Sequence, residues 1–118
     1  MKYLCLIYDE EKKMTTMSKG EGDAMMGEYA AFTEGIKKSG HYLGGNALQP
    51  VHTATTVRVR NGKASVTDGP FAETKEQLAG FYLLDARDLN EAIQLASKIP
   101  PARLGSIEIR PIRELTPE

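Results

Sequence analysis

The chain is poor in several things that usually announce a function. It has one cysteine, no tryptophan, two histidines and a formal net charge of −1 across 118 residues. A lone Cys5 leaves no partner for a disulfide within the chain, a pattern compatible with a reducing compartment. Cys5 lies in an apolar run, which reads as a buried structural thiol rather than a nucleophile. The near-neutral balance, with Lys and Arg scattered beside Asp and Glu, argues against nucleic acid as a partner. Two histidines without clustered cysteines or acids at ligand spacing argue against a zinc site. No run approaches the roughly 18 apolar residues of a membrane span. The opening "MKYLCLIYDEE" lacks the h-region and cleavage site of a signal peptide. These absences read as a cytoplasmic protein with no membrane partner. "GEGDAMMG" misses the spacing of a dinucleotide fingerprint and follows a polar loop, and neither a Walker motif nor GxSxG occurs. No cofactor or metal is expected.

What the chain does have is ordinary globular chemistry, with 41% hydrophobic and 26% charged residues. Its length suits a single domain over residues 1–118. Tyr3–Tyr8 is a short apolar run stopped by Asp9, Glu10 and Glu11, a strand apolar on both faces. Residues 10–23 are polar and read as a loop. Ser18 and Glu21 resemble a capping box, but Gly20 and Gly22 weaken a helix there and Asp23 is the alternative N-cap. Met25, Tyr29, Phe32 and Ile36 then recur at helical spacing up to the Gly40 C-cap. Tyr42–Leu48 is a strand interrupted by Gly44 and Gly45, where a bulge is expected. Asn61-Gly62 between two alternating runs predicts a hairpin with a type I′ turn. Gln77–Ala86 is an apolar strand. Asp88 and Glu91 cap a helix carrying Leu89, Ala92, Ile93, Ala96 and Ile99, which Pro100-Pro101 ends. Ser106–Ile112 alternates and forms the last strand.

The order is β-α-β-β-β-β-α-β. With the hairpin's return strand as an addition, this is a ferredoxin-like split βαβ plan in the α+β class. Both helices then lie on one face of an antiparallel sheet. Yet Phe81 and Leu83 point one way, Tyr82 and Leu84 the other, and all four are apolar or aromatic. A solvated face would alternate with polar residues. A second copy of the chain packed against the uncovered face is the economical solution, so a homodimer is expected.

The hairpin also fixes where Asp68 points. A two-residue loop at Asn61-Gly62 pairs Arg60 with Lys63, Val57 with Val66 and Thr55 with Asp68. Val57, Val59, Val66 and Asp68 then share one face, and Arg58, Arg60, Lys63 and Ser65 share the other. The valine face is expected to be buried, with Asp68 at its rim and Phe71 as a core plug. A carboxylate there has two readings. It can be a structural Asx residue accepting N–H groups of the Gly69-Pro70 turn. It can instead be a general base or ligand anchor at a cleft. His52 lies three positions before the residue paired with Asp68 and could join it in a dyad. His41, after a helix C-cap, is read as a surface residue favoured by the helix dipole. Gly69, Pro70, Arg58, Tyr82 and Arg110 are further binding candidates. "ETKE", Glu73–Glu76, reads as solvated surface.

"ATTVRVRNGKASVTDGPFAETKEQLAGFYLLDARDLNEAIQLASKIP", with "GSIEIRP", "MKYLCLIY" and "GGNALQP", resembles the YCII-related, DGPF-domain proteins over nearly the whole chain. The resemblance implies a dimeric α+β barrel. YciI-like relatives carry a His–Asp pair with the histidine early in the first long helix. Residues 23–39 hold no histidine here, so only Asp68 carries over. Some members resemble partners of extracytoplasmic-function sigma factors. Fold supplies no reaction, and two functions follow as expectations. One is a small-molecule-binding dimer with a cleft near Asp68 and proton-transfer chemistry. The other is a non-enzymatic accessory module that binds a protein such as a sigma factor. The residues alone do not decide whether the protein is an enzyme.

Overall fold

The computed structural model describes residues 1–115. Its elements are β1 (Lys2–Asp9), α1 (Glu11–Thr15), α2 (Lys19–Lys38), β2 (Tyr42–Ala47), β3 (Thr55–Arg60), β4 (Lys63–Asp68), β5 (Gln77–Asp85), α3 (Leu89–Ala96) and β6 (Ser106–Pro111), with short 3-10 turns at Val51–Thr53 and Pro100–Arg103. Four strands form an antiparallel sheet in the order β2-β5-β1-β6. With β3 and β4 set aside, that is the ferredoxin-like arrangement in the α+β class.

Two expectations are corrected here. The segment before α2 is not all loop. Glu11–Thr15 makes a short helix, and α2 starts at Lys19 rather than near Asp23. The Ser18 hydroxyl accepts from the Glu21 N–H while the Glu21 carboxylate accepts from the Ser18 N–H. Two otherwise orphaned donors are satisfied at once, which offsets the cost of Gly20 and Gly22. Second, neither hairpin strand joins the main sheet: β3 and β4 pair only with each other, as a separate two-stranded sheet. The turn itself is as expected, with Asn61 at φ 53° and Gly62 at φ 76°.

The sheet has a covered and an uncovered face. On the covered face Tyr3, Cys5, Ile7, Tyr82 and Leu84 are buried with Ile36, Ala92, Ala96 and Ile99 from the helical side. α2 ends in a Schellman motif, in which the His41 N–H donates to the Ile36 carbonyl and Gly40 sits at φ 82°. α3 is capped by Asp88, whose carboxylate accepts the Glu91 N–H, whereas Glu91 reaches back to the Arg87 N–H. On the other face Leu4, Leu6, Tyr8, Phe81 and Leu83 are only half-buried. The hairpin does not cover them. The radius of gyration is 16.4 Å and the extents are 50 × 47 × 18 Å, against about 13.5 Å expected for a compact chain of this length.

Candidate functional site

The register expected around Asp68 is present: Thr55 pairs with Asp68, Val57 with Val66 and Arg60 with Lys63. The burial expected of that face is not. Val57, Val59 and Val66 are 58, 59 and 65% exposed, and Asp68 is exposed too. The hairpin pairs with no strand of the main sheet, and among the described residues nothing covers its valines. Gly69 adopts φ 111°, which favours glycine, donates its N–H to the Ala54 carbonyl at 2.8 Å and accepts from the Thr56 hydroxyl. The Asp68 side chain makes no hydrogen bond or ion pair among the described residues, so an Asx turn is not formed. Phe71 is not a core plug. It is 80% exposed and lies with the Arg58 guanidinium 5.7 Å from its ring centroid. That contact sets the ring near Arg58 of the hairpin's polar face, with most of its surface in water.

The other candidates are scattered. His52 is exposed in the 3-10 turn and no hydrogen bond or ion pair joins it to Asp68 among the described residues. Pro70 is half-buried beside Gly69. Arg110 pairs with Glu108 at 3.0 Å on the uncovered face. Tyr82 lines a cavity.

That cavity, about 300 Å³, lies between α2 and the β2–β5 edge of the sheet. Tyr29, Tyr42, Tyr82, Thr33 and Ile7 line it, with Gly45 and Gly80 in its floor. Gly45 is required by close approach: a Cβ there would stand 2.9 Å from the Phe81 carbonyl oxygen and 2.9 Å from the Tyr82 ring. The Thr33 hydroxyl donates to the Tyr29 carbonyl at 2.9 Å, which leaves the Tyr82 phenol to donate to Thr33 Oγ1 at 2.7 Å. Phe32 stacks edge-on against Tyr82 at 5.2 Å. Among the described residues, no Lys, Arg, His, Asp or Glu lines the cavity.

One residue that sequence reasoning missed lies on the same face of β1, two positions beyond Ile7. Asp9 looks like a strand stop by its polarity, yet the alternation Tyr3, Cys5, Ile7, Asp9 carries it onto the covered face, where it is 6% exposed. Its carboxylate has no hydrogen-bond or ion-pair partner among the described residues, and since no fully buried side-chain oxygen there lacks a partner, its oxygens reach the surface. Burial, then the nearby charges of Glu11 and Glu76, push its pKa above the ordinary 3.8. Burial first, then Asp9 and Tyr82, raise the Tyr29 phenol. Burial also raises Tyr82, with the Thr33 hydroxyl opposing and Tyr42 adding. Burial thus favours the neutral form of Asp9, Tyr29 and Tyr82 alike. Cys5 is inert by comparison, fully buried, its thiol pushed up to about 11.

A wider groove of about 700 Å³ separates α2 from α3 and the Pro100–Arg103 turn. Its polar groups are mostly engaged: Arg103 pairs with Glu28 at 2.6 Å, and His41 bonds Ser39 at 2.6 Å and faces Glu91 at 3.4 Å. These contacts tie the helix ends together. Among the described residues, no group of three or more His, Cys, Asp or Glu side chains could hold a metal ion, and no helix is long and apolar enough to cross a membrane.

An uncharacterized protein of Rhizobium meliloti (strain 1021) is 39% identical over 114 residues, covering 95% of this chain and 92% of the relative. The family model described as the YCII-related domain matches residues 1–116. On that match and that identity, the chain belongs to the YCII-related domain family.

Proposed function

We propose that the protein is a cytoplasmic homodimer that binds a small molecule in the cavity between α2 and the sheet, with proton-transfer chemistry available at Asp9. The observation that carries this reading is the cavity itself, about 300 Å³ and lined by Tyr29, Tyr42, Tyr82 and Thr33, with Asp9 on the same face of β1 two positions beyond the lining residue Ile7. A mostly apolar cavity with a few polar groups is the usual form of a small-molecule site. The cleft reading thus moves from Asp68 to the covered side of the sheet. Dimerisation is supported by the half-buried Leu4, Leu6, Phe81 and Leu83 face and by the exposed valines of a two-stranded hairpin, which is marginal in water by itself. A cytoplasmic setting is supported by the single buried thiol.

The test is a fragment screen by amide chemical shift on the wild type and on Ala47→Phe, which fills the cavity's edge. Shifts clustered on Tyr29, Thr33, Gly80 and Tyr82, and lost in Ala47→Phe, support the reading. Shifts confined to the hairpin, or none at all, oppose it.

A second reading, an accessory module that binds a protein such as a sigma factor, is favoured by one observation: the exposed Val57, Val59 and Val66 face. If those valines stay exposed in the purified dimer, that reading gains; if dimerisation protects their amides from exchange, it loses.

A further inference from the structure

We propose that the cavity between α2 and the sheet receives an uncharged molecule, an apolar ring bearing a hydrogen-bond acceptor such as a carbonyl oxygen. This rests on the cleft reading above and names the class of ligand.

Among the described residues that line the cavity, the polar side chains are the hydroxyls of Tyr29, Thr33, Tyr42 and Tyr82 and the amide of Asn46. The rest of the wall is apolar side chain or glycine. An ion entering such a wall gives up its hydration and meets no opposite charge in return, which is costly for either sign. The charged groups nearby do not change this. Lys37 Nζ lies over the Tyr42 ring, 5.1 Å from its centroid, but Lys37 is not a lining residue. Asp9, two positions beyond Ile7, is not one either.

The hydroxyls divide into two pairs. Thr33 donates to the Tyr29 carbonyl and Tyr82 donates to Thr33 Oγ1, so these two protons are committed within the chain. The phenols of Tyr29 and Tyr42 have no hydrogen-bond partner among the described residues, and since no fully buried side-chain oxygen there lacks one, both phenol oxygens keep open surface. Burial first, then the charge of Asp9, raises the pKa of Tyr29 and keeps the proton on its oxygen. A phenol donates more strongly than it accepts, because the ring draws on the oxygen's lone pair. Two free O–H donors on an uncharged, mostly apolar wall therefore select an acceptor that itself carries no charge. A volume of about 300 Å³ accommodates a ligand with on the order of a dozen non-hydrogen atoms, since about 150 Å³ suffices for benzene.

The experiment compares four probes of one shape, acetophenone, α-methylstyrene, benzoate and benzamidinium, by amide chemical-shift titration of the full chain, of Tyr29→Phe and of Tyr42→Phe. In the wild type, acetophenone is expected to bind about tenfold or more tighter than either ion. In at least one variant its affinity should fall about fivefold, the worth of one neutral hydrogen bond. That of α-methylstyrene, which carries a methylene in place of the oxygen, should stay within about twofold. The charge series needs no variant, so it stands even if a variant folds poorly. An ion that binds as tightly as acetophenone, an acetophenone affinity unchanged in both variants, or equal losses for the two neutral probes overturns the proposal and leaves the cleft reading intact. No shift at the cavity residues with any of the four probes overturns both.

Discussion

The β1–β5 ladder and the β3–β4 hairpin are both antiparallel pairs with apolar side chains at alternate positions. In the ladder, Cys5 pairs with Tyr82 and Tyr3 with Leu84, and all four are buried under the helices. In the hairpin, Val57 pairs with Val66, and both stay more than half exposed. The backbone chemistry is the same; the difference is whether another element reaches the face. Alternation decides which residues share a side of a strand. Coverage is a matter of topology, and here α2 and α3 cover one face of one sheet only.

Truncation should separate the two regions most sharply. Leu84 is fully buried, so Leu84→Ala should cost about 2–5 kcal/mol in chemical denaturation. Val66→Ala should cost less than about 0.5 kcal/mol under conditions where the chain is monomeric. A large loss from Val66→Ala that appears only at high protein concentration would show that a second copy covers the hairpin.

The uncovered face gives the next contrast. Leu6 lies on it, opposite Phe81 and Glu108. Sedimentation at low micromolar concentration should give a dimer for the wild type and a folded monomer for Leu6→Lys, because a buried unpaired ammonium opposes association. A stable wild-type monomer would break the dimer argument.

Smaller effects lie at the periphery. Ser18→Ala removes one half of the capping box and should lower stability by about 1 kcal/mol, with Ser18→Gly costing less; no change would mean that α2 starts beyond Gly22. Phe71→Ala should cost under about 0.5 kcal/mol by thermal denaturation, since its ring is largely in water. A loss of several kcal/mol would restore it as a packing residue.

Much of this architecture was legible in the residues. Asn61-Gly62 fixed the hairpin register down to the Thr55–Asp68 pair, because a type I′ turn admits few other residues. Gly40 marked the end of α2, and Asp88 the start of α3. The two-sided apolar character of β1 and β5 was also visible. The candidate site was harder to read. Phe71 and the hairpin valines look like core residues by hydrophobicity, and only the absence of a covering element exposes them. Asp9 looks like a strand stop because Glu10 and Glu11 follow it. The period-two pattern from Tyr3 already assigned it to the face of Cys5 and Ile7, but which face the helices cover, and that Tyr29 comes to rest near it, depend on the packing of α2.

The central claim is that the covered side of the sheet, at Asp9, holds the site. Burial and two acidic neighbours raise the folded-state pKa of Asp9 above 3.8. Protonation then favours the folded state: the wild type should lose stability relative to Asp9→Asn as pH rises from 3.8 through the folded midpoint, with the difference independent of pH well below 3.8. Carbon-detected NMR titration of the Asp9 carboxyl in the free protein tests this most directly. The account requires a midpoint clearly above 3.8; a midpoint at or below that value would mean a solvated or paired carboxylate, and would contradict it.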